Sequence, residues 1–272
     1  MFGIKPHRLY VFGAGPAGLL AALAGREAGM DVAVFSTPDL STGEPVKSQL
    51  YGCQYLHSPI PGYAEGPGDV VEYRLDGSTA DYRRKVYGTE WNGAVSPDEY
   101  GPEVAHLAWD LRAAYDKLWR DFLPDIVPTQ LSAGNVEVFY NDRKGMVFST
   151  IPAPTLCRKP DDHKFTSQQI WAMGSTPYRG LPFEPAPFTV QCNGNDAPHW
   201  YRAANVFGHS TLEWPVGKKP PITGVVAVSK PLGTDCDCRT GSRRWHKFGR
   251  YGAWRKGVLV HHVYEQAKAV LR

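Results

Sequence analysis

Long hydrophobic runs are missing from this 272-residue sequence: nothing approaches the ~18 consecutive apolar residues of a membrane-crossing helix, so no membrane partner is expected. No cleavable apolar leader precedes the first strand-like segment, which makes the cytoplasm the expected location. Cysteine is sparse and odd in number, five in all, which argues against a disulfide framework and for a reducing compartment. Internal repeats are absent, and no Ser-His-Asp set or pair of catalytic carboxylates can be assigned, so hydrolysis is disfavoured. Acidic residues are lacking between Asp237 and Glu265, where Arg239, Arg243, Arg244, Lys247, Arg250, Arg255 and Lys256 all fall. Such a segment suits a phosphate-rich partner or a solvated basic face, and the overall net charge of +3 does not choose between them.

What is present is ordinary globular material, 42% hydrophobic and 21% charged, with 28 glycines and 23 prolines that imply many turns. The most informative stretch is RLYVFGAGPAGLLAAL at 8–23. Residues 9–12 read as a buried parallel strand and 17–28 as a helix, with the glycines at the turn between them. Gly13 permits the tight turn, Gly15 lets backbone approach a pyrophosphate, and Gly18 lets helix and strand pack closely; Pro16 and Ala17 open a helix whose first amides favour an anion. Gly29 ends that helix and residues 31–35 supply a second strand, completing the β-turn-α-β unit that turns a glycine pattern into a dinucleotide-binding signal. Where an acid usually holds a ribose, at the end of the second strand, stand Ser36 and Thr37, either of which can hydrogen-bond a hydroxyl.

Further along, residues 70–75 and 82–87 read as a strand hairpin and 104–122 as one long amphipathic helix opened by a polar stretch at 96–100. Its Trp109, Tyr115 and Trp119 read as core or lobe contacts. Strands are expected at 136–140, 146–149, 190–192, 200–206 and 225–228, irregular chain at 158–188, and a closing helix at 258–271. Asp235-Cys236-Asp237-Cys238 has no matching second cysteine pair, so it reads as a redox pair or a turn, and no metal is expected. Adjacent His261 and His262 point to different faces of the last helix, and Cys53 reads as a small apolar filler.

The Gly-Ala-Gly-Pro-Ala-Gly turn resembles FAD-binding proteins of the glutathione-reductase-like superfamily, and four segments in matching order resemble UDP-galactopyranose mutase and the flavin amine oxidases. The glycine turn is the first. YGCQYLHS at 51–58 resembles a segment beside the flavin ring, with Gln54 in place of its first histidine and His57 keeping the second. FSTIPAP at 148–154 and APHWYRAANVFGHSTLEWP at 197–215 resemble the strand closing the FAD sheet and the strand under the substrate. FGRYGAWRKGVLVHHVYEQAKAVL at 248–271 resembles the second FAD motif and the helix facing the flavin. The resemblance implies FAD, with Gly249, Arg250, Trp254, Val258 and Leu259 joining Gly13, Gly15, Pro16, Ala17, Gly18, Ser36 and Thr37 around it.

These readings make an α/β chain: a Rossmann-like FAD-binding domain with a parallel sheet, discontinuous over 1–60, 125–157 and 225–272, and an interleaved smaller substrate lobe at 61–124 and 158–224. The expected activity is FAD-dependent oxidation of an amine C–N bond by hydride transfer, with Gln54 and His57 as catalytic residues and Tyr55, Tyr201 and Arg202 against the substrate. Tyr55, Trp200, Tyr201 and Trp254 are the expected flat lining. Short chains of this pattern resemble bacteriophage flavoenzymes associated with DNA-base modification, which makes an amino-acid-modified nucleotide or DNA an expected partner and a host cytoplasm the setting. The alternatives are a non-redox mutase-like flavoenzyme and a flavin-carrying binding module of a modification complex.

Overall fold

The computed structural model describes residues 7–88, 105–142, 144–173, 183–217, 219–238 and 244–272; the expected 96–100 stretch, Arg239, Arg243 and part of 158–188 lie outside the described residues. In chain order the elements are β1 (Arg8–Phe12), α1 (Pro16–Glu27), β2 (Asp31–Ser36), β3 (Asp69–Asp76), α2 (Thr79–Tyr87), β4 (Ala105–Ala108) and α3 (Leu111–Phe122). There follow β5 (Ile126–Pro128), α4 (Glu137–Asn141), β6 (Gly145–Ser149), α5 (Ala153–Leu156), β7 (Phe165–Met173) and β8 (Thr189–Asn193). The chain closes with β9 (Arg202–Val206), β10 (His209–Pro215), β11 (Val225–Thr234), β12 (Trp245–Lys247), α6 (Gly249–Gly252) and α7 (Val260–Leu271).

The chain divides into two compact units, one of Met1–Ser48, Ala113–Thr166 and Pro231–Arg272, the other of Gln49–Arg112 and Ser167–Lys230. The first is built on a five-stranded sheet of order β12-β6-β1-β2-β5, parallel at every pairing. Both faces of a parallel sheet must be covered, which accounts for the unbroken apolar strands Leu9–Phe12 and Met146–Phe148. On one face an aromatic cluster forms, with Phe12, Phe35 and Trp245 buried and Phe139 edge-on to both Phe12 and Phe35. On α1, every residue from Gly18 to Gly25 is buried, since α7 packs along it and Tyr264 of α7 donates to Glu27 at 2.7 Å. A Cβ at Gly25 would stand 2.3 Å from Leu9 Cδ2, so glycine sets how closely helix and strand approach.

The second unit carries a seven-stranded mixed sheet of order β11-β7-β10-β9-β8-β3-β4, in which β7-β10-β9-β8 and β3-β4 pair antiparallel and β3 meets β8 in parallel. Four local expectations are corrected here. Residues 82–87 are helical, because Ser78 Oγ accepts the Asp81 amide at 3.1 Å, Asp81 pairs with Arg84, and Gly88 at φ +90° stops the turn. The hairpin with 70–75 is therefore not formed; β3 pairs with β4 and β8 instead. The helix expected at 104–122 starts only at Leu111, where Asp110 Oδ1 accepts the Arg112 amide at 2.8 Å, and the residues before it form β4. Residues 137–141 make a short helix rather than a strand, following a side-chain turn in which Asn135 Oδ1 accepts the Ser132 amide. Within 158–188, β7 is a nine-residue strand whose polar Thr-Ser-Gln-Gln start hides the pattern and whose pairing partner, β10, lies about forty residues downstream.

Candidate functional site

The glycine turn leaves the carboxyl end of β1, the central strand of the parallel sheet, where open α/β sheets place their ligands. Gly13 takes φ +101°, and a Cβ there would meet Thr150 Oγ1 at 2.7 Å and Ile151 Cγ2 at 2.9 Å. A Cβ at Gly18 would fall 1.7 Å from the Gly13 carbonyl oxygen. These two glycines are demanded by the protein's own packing. Gly15 is different: its φ is −71°, and a Cβ would find only Ser48 Oγ, at 3.6 Å. Nothing among the described residues requires glycine there, whereas a ligand lying on the backbone would. Beyond Gly15, α1 begins at Pro16 with Ala17 behind it, with no side-chain cap on its amides and no acid in its first turn. That is the donor set an anionic pyrophosphate fits.

The turn is held by a residue that the sequence reads as a core or lobe contact. Tyr115 of α3 is buried and donates to the Ala14 carbonyl at 2.9 Å while accepting the Ser48 amide at 3.1 Å. Burial pushes its phenol up to about 12, so it stays a neutral donor. The neighbouring Lys47 is exposed, pairs with Asp116 and lies 5.2 Å from the Tyr115 ring. At the end of β2, Ser36 is buried and donates to the Val46 carbonyl at 3.1 Å, while Thr37 is exposed. Of the two, Thr37 is the one a ribose can reach from solvent.

The segment at 248–259, expected from the resemblance to be a second cofactor motif, folds against the same turn. A Cβ at Gly249 would stand 3.1 Å from Ala17, and one at Gly252 would stand 2.3 Å from the Ser149 carbonyl oxygen, so α6 fits only through its glycines. Arg250 turns its guanidinium toward the Pro231 carbonyl at 3.4 Å. Trp254 is buried and donates to the Thr166 carbonyl at 3.1 Å, edge-on to Phe165. Val258 and Leu259 lead into α7, and the Leu259 amide donates to His262 Nδ1 at 3.4 Å. Of the basic run, Arg255 is exposed while Arg244, Lys247, Arg250 and Lys256 are half-buried.

Gln54, His57, Tyr55, Tyr201 and Arg202 all belong to the second unit. Gln54 Nε2 donates to the Tyr51 carbonyl at 2.8 Å, and the His57 ring lies 4.5 Å from Tyr55 and 5.4 Å from His106. Tyr55 is buried and bonds the Tyr73 hydroxyl at 2.8 Å, and Trp200 is buried and stacks on Phe183. Burial pushes the Cys53 thiol up to about 11, which leaves it inert. Tyr201 and Arg202 converge on Glu213, a buried carboxylate that the sequence reading passed over. Tyr201 donates to Oε2, Arg202 Nε to Oε1 at 3.0 Å, Lys230 to Oε2, and the Cys53 amide to Oε1 at 3.2 Å. Burial alone would raise this carboxyl, but Arg202 and Lys230 overcome it and hold it well below the usual range.

A fourth group was not foreseen. The Cys-x-Cys pair does have partners: Cys157, His163, Cys236 and Cys238 present four ligand atoms within 4.8 Å of one another.

No family profile matches the chain. Over 104 residues, 36% of this chain and 29% of its relative, it is 34% identical to a glucose 1-dehydrogenase of Methanocella arvoryzae. Among solved structures, CmlS, a flavin-dependent halogenase, aligns with a TM-score of 0.52 at 12% identity, over 98% of this chain and 58% of that one. CabE, an aromatic hydroxylase from angucycline biosynthesis, aligns with a TM-score of 0.45 at 17% identity, over 98% and 63%. The halogenase likeness shows the fold. This is a Rossmann-like α/β architecture, with a parallel sheet and a second mixed sheet. The chain spans under two thirds of each of these proteins.

Proposed function

We propose that this chain binds FAD and acts as a flavin-dependent oxidoreductase on a small amine or an amino-acid-modified nucleotide or DNA base. The observation that carries the cofactor assignment is Gly15, a glycine without strain or crowding from the protein, set before uncapped helix amides at the end of a central parallel strand. Bound FAD would supply a two-electron acceptor for the hydride leaving the substrate. The chain's own part is to bind and orient. The amides of α1 would hold the pyrophosphate, Thr37 the ribose, and Tyr115 would keep the turn in register through Ala14. The fold shared with a flavin-dependent halogenase supports the redox class. The resemblance of residues 51–58 to a flavin-side segment supports the amine reading and the role of Gln54 and His57 in orienting the reacting C–N bond.

The test begins with the absorbance spectrum of the purified protein and the identity of its released cofactor. FAD is expected, and Gly15→Val should abolish its retention while the chain stays folded. Stoichiometric FAD in folded Gly15→Val would sink the assignment. Anaerobic mixing with amines and with nucleosides or DNA bearing aminoacyl groups should bleach the flavin, more slowly in Gln54→Ala and His57→Ala at equal occupancy. A flavin perturbed only by UDP-galactose would replace the oxidoreductase with a mutase-like catalyst, and one inert to all would favour a binding module.

A further inference from the structure

We infer that the first unit contains a Cys3His zinc site formed by Cys157, His163, Cys236 and Cys238. The four come from two segments distant in sequence. Cys157 and His163 lie just after α5, and Cys236 and Cys238 lie just after β11. All four belong to the first unit. Cys157 Sγ lies 3.8 Å from Cys238 Sγ and 3.7 Å from Cys236 Sγ, and His163 Nδ1 lies 3.1 Å from Cys157 Sγ and 3.7 Å from Cys238 Sγ. A tetrahedral ion with Zn–S bonds of about 2.3 Å and a Zn–N bond near 2.0 Å sets its sulfurs about 3.8 Å apart and sulfur from nitrogen by about 3.5 Å. The observed spacings scatter around those values, as a site for one ion requires.

The surroundings are those of a metal site. The Lys159 amide donates to Cys157 Sγ at 3.4 Å, the two-residue knuckle that steadies a thiolate, and the amides of Cys238 and Arg158 face the sulfurs of Cys236 and Cys238. His163 turns Nδ1 to the sulfurs and Nε2 toward the Asp237 carboxylate, 3.9 Å away, the outer partner that orients a ligating imidazole. One bond ties the two segments, the Lys164 amide donating to Asp235 at 2.8 Å, and within the second segment Thr234 Oγ1 accepts the Cys236 amide at 3.0 Å. A dithiol switch would use two sulfurs at a bonded distance near ~2.05 Å and leave the third sulfur and the imidazole without a task. Three thiolates and an imidazole select zinc over harder cations, and four protein ligands leave no open position, so the site is structural. Its work is to fasten the turn after β11, where the acid-free basic segment begins, to the loop after α5.

The inference is tested on the full-length protein purified under reducing conditions without added chelator. Elemental analysis should find about one zinc per chain in the native protein and in Cys53→Ser, whose sulfur belongs to the other unit, and less than about a tenth of that in Cys157→Ser and Cys236→Ser. Should those variants fail to fold, the native chain still decides the matter. Titration with a mercurial should release zinc as the three cluster thiols react, and cobalt(II) exchange should give sulfur-to-cobalt charge transfer and the intense visible bands of a tetrahedral centre. Reduced protein that takes up neither zinc nor cobalt would overturn the inference. So would a metal-free native protein with a disulfide among these cysteines, which would make them a redox pair.

Discussion

Gly15 and Gly18 sit three residues apart in one turn, and their expected responses to a methyl group are opposite. At Gly18 the added carbon would overlap the Gly13 carbonyl oxygen, so Gly18→Ala should cost about 3 kcal/mol or more of stability, whatever ligand is present. At Gly15 the same carbon has room, and Gly15→Ala should leave the unfolding free energy within about 0.5 kcal/mol in the absence of cofactor while weakening FAD retention. Denaturant titration of the cofactor-stripped proteins, beside their flavin content as purified, separates the two. Glu213 presents a different residue-scale problem: its neutralisation would remove the charge with which Arg202 and Lys230 pair. Glu213→Gln should therefore cost about 3–5 kcal/mol. Because the carboxyl titrates lower in the folded chain than in the unfolded one, its contribution is complete above the unfolded value near ~4.3 and fades as pH falls below it. The acid limb of a stability-against-pH curve should flatten in the variant.

At the scale of elements, α7 carries a buried proton-sensitive group. Burial, then the adjacent His262, push the buried His261 imidazole down to about 4. Its unfolded value is near ~6.5, so both states are neutral at high pH, and acidification protonates the unfolded chain first. Stability should fall between about pH 6.5 and 4, by on the order of 1–3 kcal/mol, and His261→Gln should remove that slope. The α2 correction has an equally local origin. Ser78 and Gly88 bracket a sequence whose alternation reads as strand, and the cap outweighs the alternation. Ser78→Ala should cost about 1 kcal/mol, measurable by thermal unfolding.

For the molecule as a whole, the division of the chain turns on α3. Sequence reading assigned 61–124 to the substrate lobe; the structure groups Ala113–Thr166 with the parallel-sheet unit, where the Tyr115 hydroxyl bridges Ala14 and Ser48. Tyr115→Phe should lower stability by about 1–3 kcal/mol, since it leaves the Ala14 carbonyl and the Ser48 amide without this partner, and should loosen FAD. Equilibrium dialysis of the cofactor beside calorimetry would show both changes, and intact affinity would detach α3 from the site.

The sequence by itself determined the parts whose pattern is local: β1, the glycine turn, α1 and β2, because strand, turn and helix are consecutive and their glycines stand at the expected spacing. It also placed Gly249 and the closing helix, through a motif contained in one segment. Only the tertiary structure decided the rest. Tyr115 is an ordinary helical aromatic until α3 lies beside Ala14, and Glu213 is one acid among 27 acidic side chains until Arg202, Lys230 and Tyr201 surround it. Cys236 and Cys238 look unpartnered along the chain because Cys157 and His163 stand more than seventy residues away, and the fold alone closes that distance. Local propensity acts over a few residues, whereas hydrogen bonds, ion pairs and metal ligands are selected by proximity in space.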